Sequence, residues 1–436
     1  MSNNLLTISD ITNEGLMILE NELTFTDKVN REYDDRFGVD GAKIGYTINV
    51  RKPARFKGTA GPALNVEDFV ESSVPVTLTT QFHVDTQFIT SDLLLSIDQF
   101  SKRVLKPKIA TIANRIDYDG LVMGKNAVAN IVGTPGTAPT ALSTFLTAGA
   151  LLDTEGVPRD GERYMVLDQF SQASMVGSLT GLFNPQVSIS EQYKKGLMAR
   201  DTVGFDWYMD QNVSSQTFAT QTGTPQYDST GTSSAIISSG WADGGTLALK
   251  GLTATTGTIN VGDVISIANV NMVNPQNRQA VNQARSFVVQ PFTGTPTNGT
   301  FVAATDSVTG LVTGGTYTAD GSGKLQVQIS TAIITGGQFQ NVNAAPVNSA
   351  GVAFFGSNKV SPQGLAFHRD AFTLVSADLP LPGGVDMAAR AAHKDIGVSM
   401  RVVRQYTINN DALPTRIDVL YGWAPLYREL GCRVAG

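Results

Sequence analysis

Between Gln211 and Ala350 the chain nearly stops using charge: 140 residues hold nine Asp, Glu, Lys and Arg, and the other 296 hold 61. The same window carries 22 Thr and 17 Gly. A change this sharp in mid-chain predicts a β-rich module interrupting a host of mixed composition. Within it, TLALKG (246–251), DVISIANV (263–270), ARSFVVQPF (284–292) and KLQVQIS (324–330) read as strands, punctuated by glycines at turns. That density fits a small barrel or sandwich of about five to seven strands. No fixed-length repeat marks a solenoid or propeller.

The host must supply the remaining folding units, since 436 residues exceed one compact core and imply two to three domains. A 42% hydrophobic content excludes global disorder, and a net charge of −6 argues against a general nucleic-acid binder. No run of about 18 apolar residues predicts a membrane helix. The start, MSNNLLTISDITNEG, lacks the basic-then-apolar pattern of a secretory signal. Cys432 stands alone, which excludes an internal disulfide framework and fits folding in cytoplasm.

Residues 5–37 read as helical, with Leu16, Leu19 and Leu23 at helical spacing. Alternation in IGYTINV (44–50) and again in VPVTLTTQFHVDTQFI (74–89) predicts two strands. They flank a tip rich in Gly and Pro, so the pair reads as a long β-hairpin arm. From Ser91 the period becomes helical, through Ile97, Phe100, Val104, Ile109, Ile112 and Ile116 to about Ala129, with Pro107 expected to kink or split the helix. Further helices are expected at 140–153, 171–179 and 190–200, and strands at 163–168, 204–209, 372–381, 398–408 and within 415–434.

Catalytic chemistry finds no support. His83, His368 and His393 sit at no metal-ligand spacing, no HExxH occurs, and Cys432 lies in an apolar stretch as a small buried residue. No phosphate-binding glycine loop and no Gly-x-Ser-x-Gly elbow is present. The most informative local feature is the basic cluster Arg51, Lys52, Arg55 and Lys57 on the hairpin, followed by the acidic run Glu67, Asp68 and Glu71. It reads either as a solvated tip or as a basic arm that docks on acidic neighbouring subunits, where such charges set register more than affinity. Nucleic-acid contact is weaker, with Phe56 the single interleaved aromatic.

The order of parts resembles the major capsid (coat) protein of tailed bacteriophages. The resemblance rests on the N-terminal helix, the hairpin with IGYTINVRKPARF, the long helix, a barrel reading TTGTINVGDVISIANVNMVNPQNRQA, then AFHRDAFTLVSADLPLP and RIDVLYGWA. More narrowly it resembles the short-tailed-phage branch whose coat carries an inserted β-barrel. The resemblance implies an α+β tailed-phage capsid (Johnson) fold. Its parts would be an N-terminal arm (1–41), an extended loop (42–85), the spine helix with peripheral and first axial parts (86–221), an inserted barrel (222–356) and the axial and peripheral remainder (357–436). It also implies self-assembly into hexamers and pentamers of an icosahedral shell, by a scaffold-assisted procapsid that expands as DNA is packaged. Implied partners are the chain itself, a scaffolding protein, a portal protein and packaged double-stranded DNA held non-specifically on the inner face. No membrane, cofactor or catalytic residue is implied. The location would be the virion, after assembly in the host bacterial cytoplasm. In this family the barrel carries a loop to a neighbour across a two-fold, and 290–325 and 222–246 are both candidates. The other functional class raised by a Thr/Gly-rich module is a secreted or surface carbohydrate-binding adhesin, against which the missing signal and lone cysteine count.

Overall fold

Alternating apolar residues wrap the charge-poor stretch into a closed barrel. The structure, a computed structural model, describes residues 8–31, 45–64, 66, 69–88, 105–178, 203–392, 398–408 and 413–436. Six antiparallel strands run in the order Val352–Phe354, Val264–Val273, Ala280–Gln290, Leu325–Ser330, Gly245–Leu252 and Gly223–Tyr227. The two ends of this sheet meet: Tyr227 N donates to Ala350 O at 2.9 Å and Gln226 bridges Gly351, so no edge is left along the seam. Leu247, Leu249, Ile265, Phe287, Val289, Leu325, Val327 and Ile329 fill the interior. A hairpin of Thr300–Thr305 and Val312–Thr318 stands beside the barrel, joined by Thr258–Asn260 in a three-stranded sheet. Its root is fixed by Tyr317, whose hydroxyl donates to Gln290 O at 2.6 Å.

The nine charges of the window have two uses. Asp306 and Asp320 cap turns, Asp228 pairs with Lys324 at 3.1 Å, and Lys250 donates to Asn348 Oδ1 at 2.9 Å. The other four reach segments outside the barrel. Asp243 accepts from Arg428 Nη2 at 2.7 Å, and Arg278 donates to Phe56 O at 3.0 Å. Arg285 pairs with Glu155, and Asp263 accepts from Gln216 Nε2 at 3.0 Å and Ala219 N at 3.3 Å. The few charges the barrel carries thus serve turns and attachments.

The described chain forms two compact units. One draws on Arg51–Val74, Val122–Ala371 and Tyr427–Gly436 and contains the barrel. Its other sheet has the order Ile131–Gly133, Gly431–Ala435, Val360–His368, Arg163–Leu167 and Asp206–Met209. The helix Leu142–Thr154 covers it through Phe145, Ala148 and Leu152, which share a core with Met165, Trp207 and Cys432. Burial pushes the Cys432 thiol up to about 12, so it packs as a small apolar group rather than reacting.

The other unit draws on Met1–Val50, Pro75–Leu121 and Phe372–Leu426. Its sheet pairs Leu413–Pro425 with Phe372–Ser376, Ser399–Arg404 and Thr80–Phe88, while Met387–Ala392 extends the edge. The helix Lys106–Ala127 presents Ile109, Ile112 and Ile116, all fully buried, and ties to the sheet by Tyr421 Oη donating to Asp119 at 2.7 Å and Trp423 Nε1 donating to Ile116 O at 3.2 Å. Pro107 is the second residue of this helix, so the kink or split expected at it falls at the edge of the described residues. The upstream part of the expected helix, 91–104, lies outside the described residues, as does the helix expected at 190–200.

Two expectations are corrected. The first helix ends at Glu22, and 23–31 turn away from it, because the buried Asp117 carboxylate accepts from Thr24 N at 2.8 Å, Phe25 N at 3.4 Å and Thr26 N at 3.0 Å. The strand expected over 74–89 breaks at Leu78 and Thr79. Ser73–Thr77 pairs with Thr47–Arg51, whereas Thr80–Phe88 leaves the hairpin for Leu413–Pro425. The hairpin arm is correspondingly shorter than its sequence pattern.

Candidate intersubunit surface

The loop between Thr47–Arg51 and Ser73–Thr77 starts from a strand pair closed by Lys52 N donating to Ser72 O at 2.7 Å. Pro53 ends strand character. Gly58 and Gly61 have φ of +66° and +122°, left-handed backbone with open space around them, so the chain can reverse there at little steric cost.

The base of the loop is sunk among charges. The Lys52 ammonium lies 4.8 Å from the Tyr427 ring centroid and 5.8 Å from that of Trp241. Burial lowers its pKa, opposed by Glu429 and Asp243. Arg55 pairs with Glu429 at 3.0 Å. Burial works against ionised Glu429, but Lys52 and Arg55 outweigh it and hold the carboxyl below its ordinary value. Beside them lies the pair Glu155–Arg285, with burial pushing the Glu155 carboxyl up against the pull of Arg285. A cavity of about 70 Å³ separates these groups, with Lys52, Arg55, Glu155, Arg285 and Glu429 on its wall. Arg278, donating to both Phe56 O and Gln338 O, pins the loop where it leaves this bed.

The tip is different. Phe56, Leu64, Val66 and Phe69 are 62%, 90%, 79% and 65% exposed, and the rings of Phe56 and Phe69 approach to 6.3 Å between centroids. Four large apolar side chains on one exposed loop form the kind of patch that marks an interaction surface.

The predicted contact residues therefore divide. Arg51 pairs with Glu71 of the same chain at 3.1 Å, an exposed contact of small energetic weight. Lys52 and Arg55 are engaged below the loop, and Lys57 stands exposed. Glu67 and Asp68 lie outside the described residues. Sequence reasoning named the charges and missed Leu64, Val66 and Phe69. Their signal was apolar residues at positions with no strand or helix period to bury them. Of the histidines, His83 pairs with Asp85 at 3.0 Å, His368 lies buried in the sheet of the barrel-containing unit, and His393 is outside the described residues.

The P22 coat protein family model, described as gene protein 5, matches residues 50–436. No curated protein matches the chain. Similar solved structures include one from Mycobacterium phage Che8, at 10% identity over 94% of this chain and 90% of that one, with a TM-score of 0.42. Another is the asymmetric unit of the bacteriophage PhiM1 mature capsid, at 11% identity over 95% and 86%, also with a TM-score of 0.42. The CUS-3 coat protein I-domain matches 32% of this chain with 97% of its own, at 20% identity and a TM-score of 0.16. The family match takes in the loop, the barrel and both sheets, so the chain belongs to the P22 coat protein family and is a tailed-phage major capsid protein, a self-assembling structural component of the virion shell.

Proposed function

We propose that the 51–72 loop is the element by which one copy grips the next. The observation that carries this reading is an exposed apolar tip, Phe56, Leu64, Val66 and Phe69, on a loop whose base is fixed by Lys52 and Arg55. Apolar burial supplies the affinity, while Arg51, Lys57, Glu67, Asp68 and Glu71 set register around it. In this reading the chain divides into an arm at 1–41, an extended loop at 42–85, a spine helix with peripheral and first axial parts at 86–221, an inserted barrel at 222–356 and the axial and peripheral remainder at 357–436. The subunits form hexamers and pentamers on a scaffolding protein in the host cytoplasm, around a portal, and the procapsid expands as double-stranded DNA fills it. The chain performs no catalysis and needs no cofactor or membrane.

For contact between capsomers the 290–325 stretch is the better of the two candidates. Val302, Val308, Leu311 and Val312 project from the hairpin, 37–68% exposed. The 222–246 stretch is instead committed internally, through Gly223–Tyr227 in the barrel wall and Asp243 on Arg428.

Co-expression with the scaffolding protein, followed by negative-stain microscopy, tests both assignments. Phe56→Ser, Leu64→Ser and Phe69→Ser together should leave the melting temperature near wild type and cut shell yield at least about tenfold, the loss of some 1.4 kcal/mol per contact. Val308→Asp with Leu311→Asp should permit isolated capsomers but few closed shells. Wild-type yields of closed shells from either variant sink the corresponding assignment.

A further inference from the structure

Strand pairing brings together metal-ligating side chains that the sequence keeps about 200 positions apart. His368 ends the strand Val360–His368, opposite Arg163 at the start of Arg163–Leu167, and Asp160 and Glu162 lie in the turn just before it. The His368 ring is 2% exposed, while the carboxylates of Asp160 and Glu162 face solvent at 46% and 43%. Nε2 of His368 stands 3.1 Å and 3.3 Å from the two Asp160 oxygens, and one ligand atom from each of the three residues lies within 4.8 Å of the others. On the far side of the ring, Asp370 Oδ2 is 3.7 Å from Nδ1, and Asp370 N donates to Nδ1 at 3.3 Å.

Asp160 and Glu162 thus gather on the Nε2 side of a ring that burial holds in one orientation, and Arg369 pairs with Glu162 at 3.3 Å.

We propose that Asp160, Glu162 and His368 form a site for one divalent transition-metal ion of the Zn²⁺ or Mn²⁺ class. Ligand atoms in adjacent positions around an ion with bonds of about 2.1 Å stand about 3 Å apart, which the Asp160–His368 pair already satisfies. Glu162 completes the set by rotating inward and releasing Arg369, an exposed pair that costs little to break. Binding at Nε2 moves the ring proton to Nδ1, so the hydrogen bond that Nδ1 accepts from Asp370 N is given up and the proton turns toward the Asp370 carboxylate, 3.7 Å away. One imidazole with two carboxylates suits Zn²⁺ or Mn²⁺ better than Mg²⁺, which favours oxygen ligands alone. The ion would clamp the 158–162 turn to the end of Val360–His368 and stabilise the folded subunit by mass action.

The test is calorimetric titration of chelator-treated, full-length subunit with Zn²⁺, Mn²⁺ and Mg²⁺, alongside thermal melting. Wild type should bind one Zn²⁺ per chain and melt higher with it. His368→Gln and Glu162→Gln should each weaken binding at least about tenfold and abolish the melting shift. Glu162→Gln changes a half-exposed side chain and remains informative if His368→Gln fails to fold. Equal Zn²⁺ binding by wild type and Glu162→Gln overturns the proposal, as does Mg²⁺ binding as tightly as Zn²⁺. So does a wild type that binds no ion.

Discussion

Replacing Asp263 with alanine will destabilise the subunit by about 3–5 kcal/mol, the usual cost of removing one partner from a buried charge pair. The carboxylate is 1% exposed and accepts from Gln216 Nε2, Ala219 N and Asn260 N at 3.0, 3.3 and 2.9 Å. It also faces Arg433, which is fully buried and donates through Nη1 to Lys125 O and Gly262 O, both at 2.9 Å. Burial brings the Arg433 guanidinium down to about 10 and the Lys125 ammonium down to about 8. Without Asp263 these two cations keep their desolvation and lose their counter-charge, while the Ala219 and Asn260 N–H groups lose their acceptor and Gln216 Nε2 keeps Val261 O. Denaturant unfolding of the purified subunit reads the loss directly, and a change below about 1 kcal/mol refutes the account.

The same carboxyl sets a pH dependence. Burial raises it to about 6, outweighing the hydrogen bonds it accepts, so between about pH 4 and 6 the folded chain binds a proton that the unfolded chain does not. That contribution to stability is fully present below about pH 4 and is lost as pH rises through about 6. Relative to Asp263→Asn, which cannot titrate, wild type should therefore gain about 2–3 kcal/mol on acidification from pH 7 to pH 4. A pH-independent difference between the two proteins contradicts the shift.

Asp117→Ala will release the segment after the first helix. One carboxylate holds the Thr24, Phe25 and Thr26 amides and the Thr26 hydroxyl, and Phe25 then packs against Phe372 and Trp423 at 5.9 and 5.5 Å between ring centroids. Hydrogen bonds to a buried charge are worth about 1.5–3 kcal/mol each, so the loss should reach about 3 kcal/mol or more. Hydrogen exchange at residues 24–26 should accelerate far more than in the barrel, because the variant opens one segment rather than the whole chain. Uniform acceleration across both would show that Asp117 supports global folding instead.

The barrel was legible because its strands alternate and its turns carry glycine. Leu247 and Leu249, Ile265 and Ile267, and Val327 and Ile329 all point into one core. The Thr300–Thr318 hairpin escaped the same reading because Phe301 packs on the barrel core while Val302, Ala303 and Ala304 after it are all exposed, so no period appears. The end of the first helix was invisible for a different reason: its terminator, Asp117, lies more than 90 residues away. The loop was legible as a segment but not as side chains. The acids that receive Lys52 and Arg55 come from Glu155, Asp243 and Glu429, three places no local pattern connects. The Asp160–Glu162–His368 cluster was hidden likewise, since strand register rather than spacing assembles it.

The strand Ser215–Thr217, which leads into the barrel, pairs directly with Val360–Pro362, which leads out, through Thr217↔Val360 and Gln216↔Ser361. To the rest of the subunit, the whole barrel is thus the turn of a β-hairpin. Closing a flexible loop of that length carries a large entropy and slows the pairing of distant strands. A barrel that closes early removes that delay, because its own seam already holds residues 226 and 351 side by side. The long excursion becomes a short one, and the host strands meet at nearly the rate of local ones.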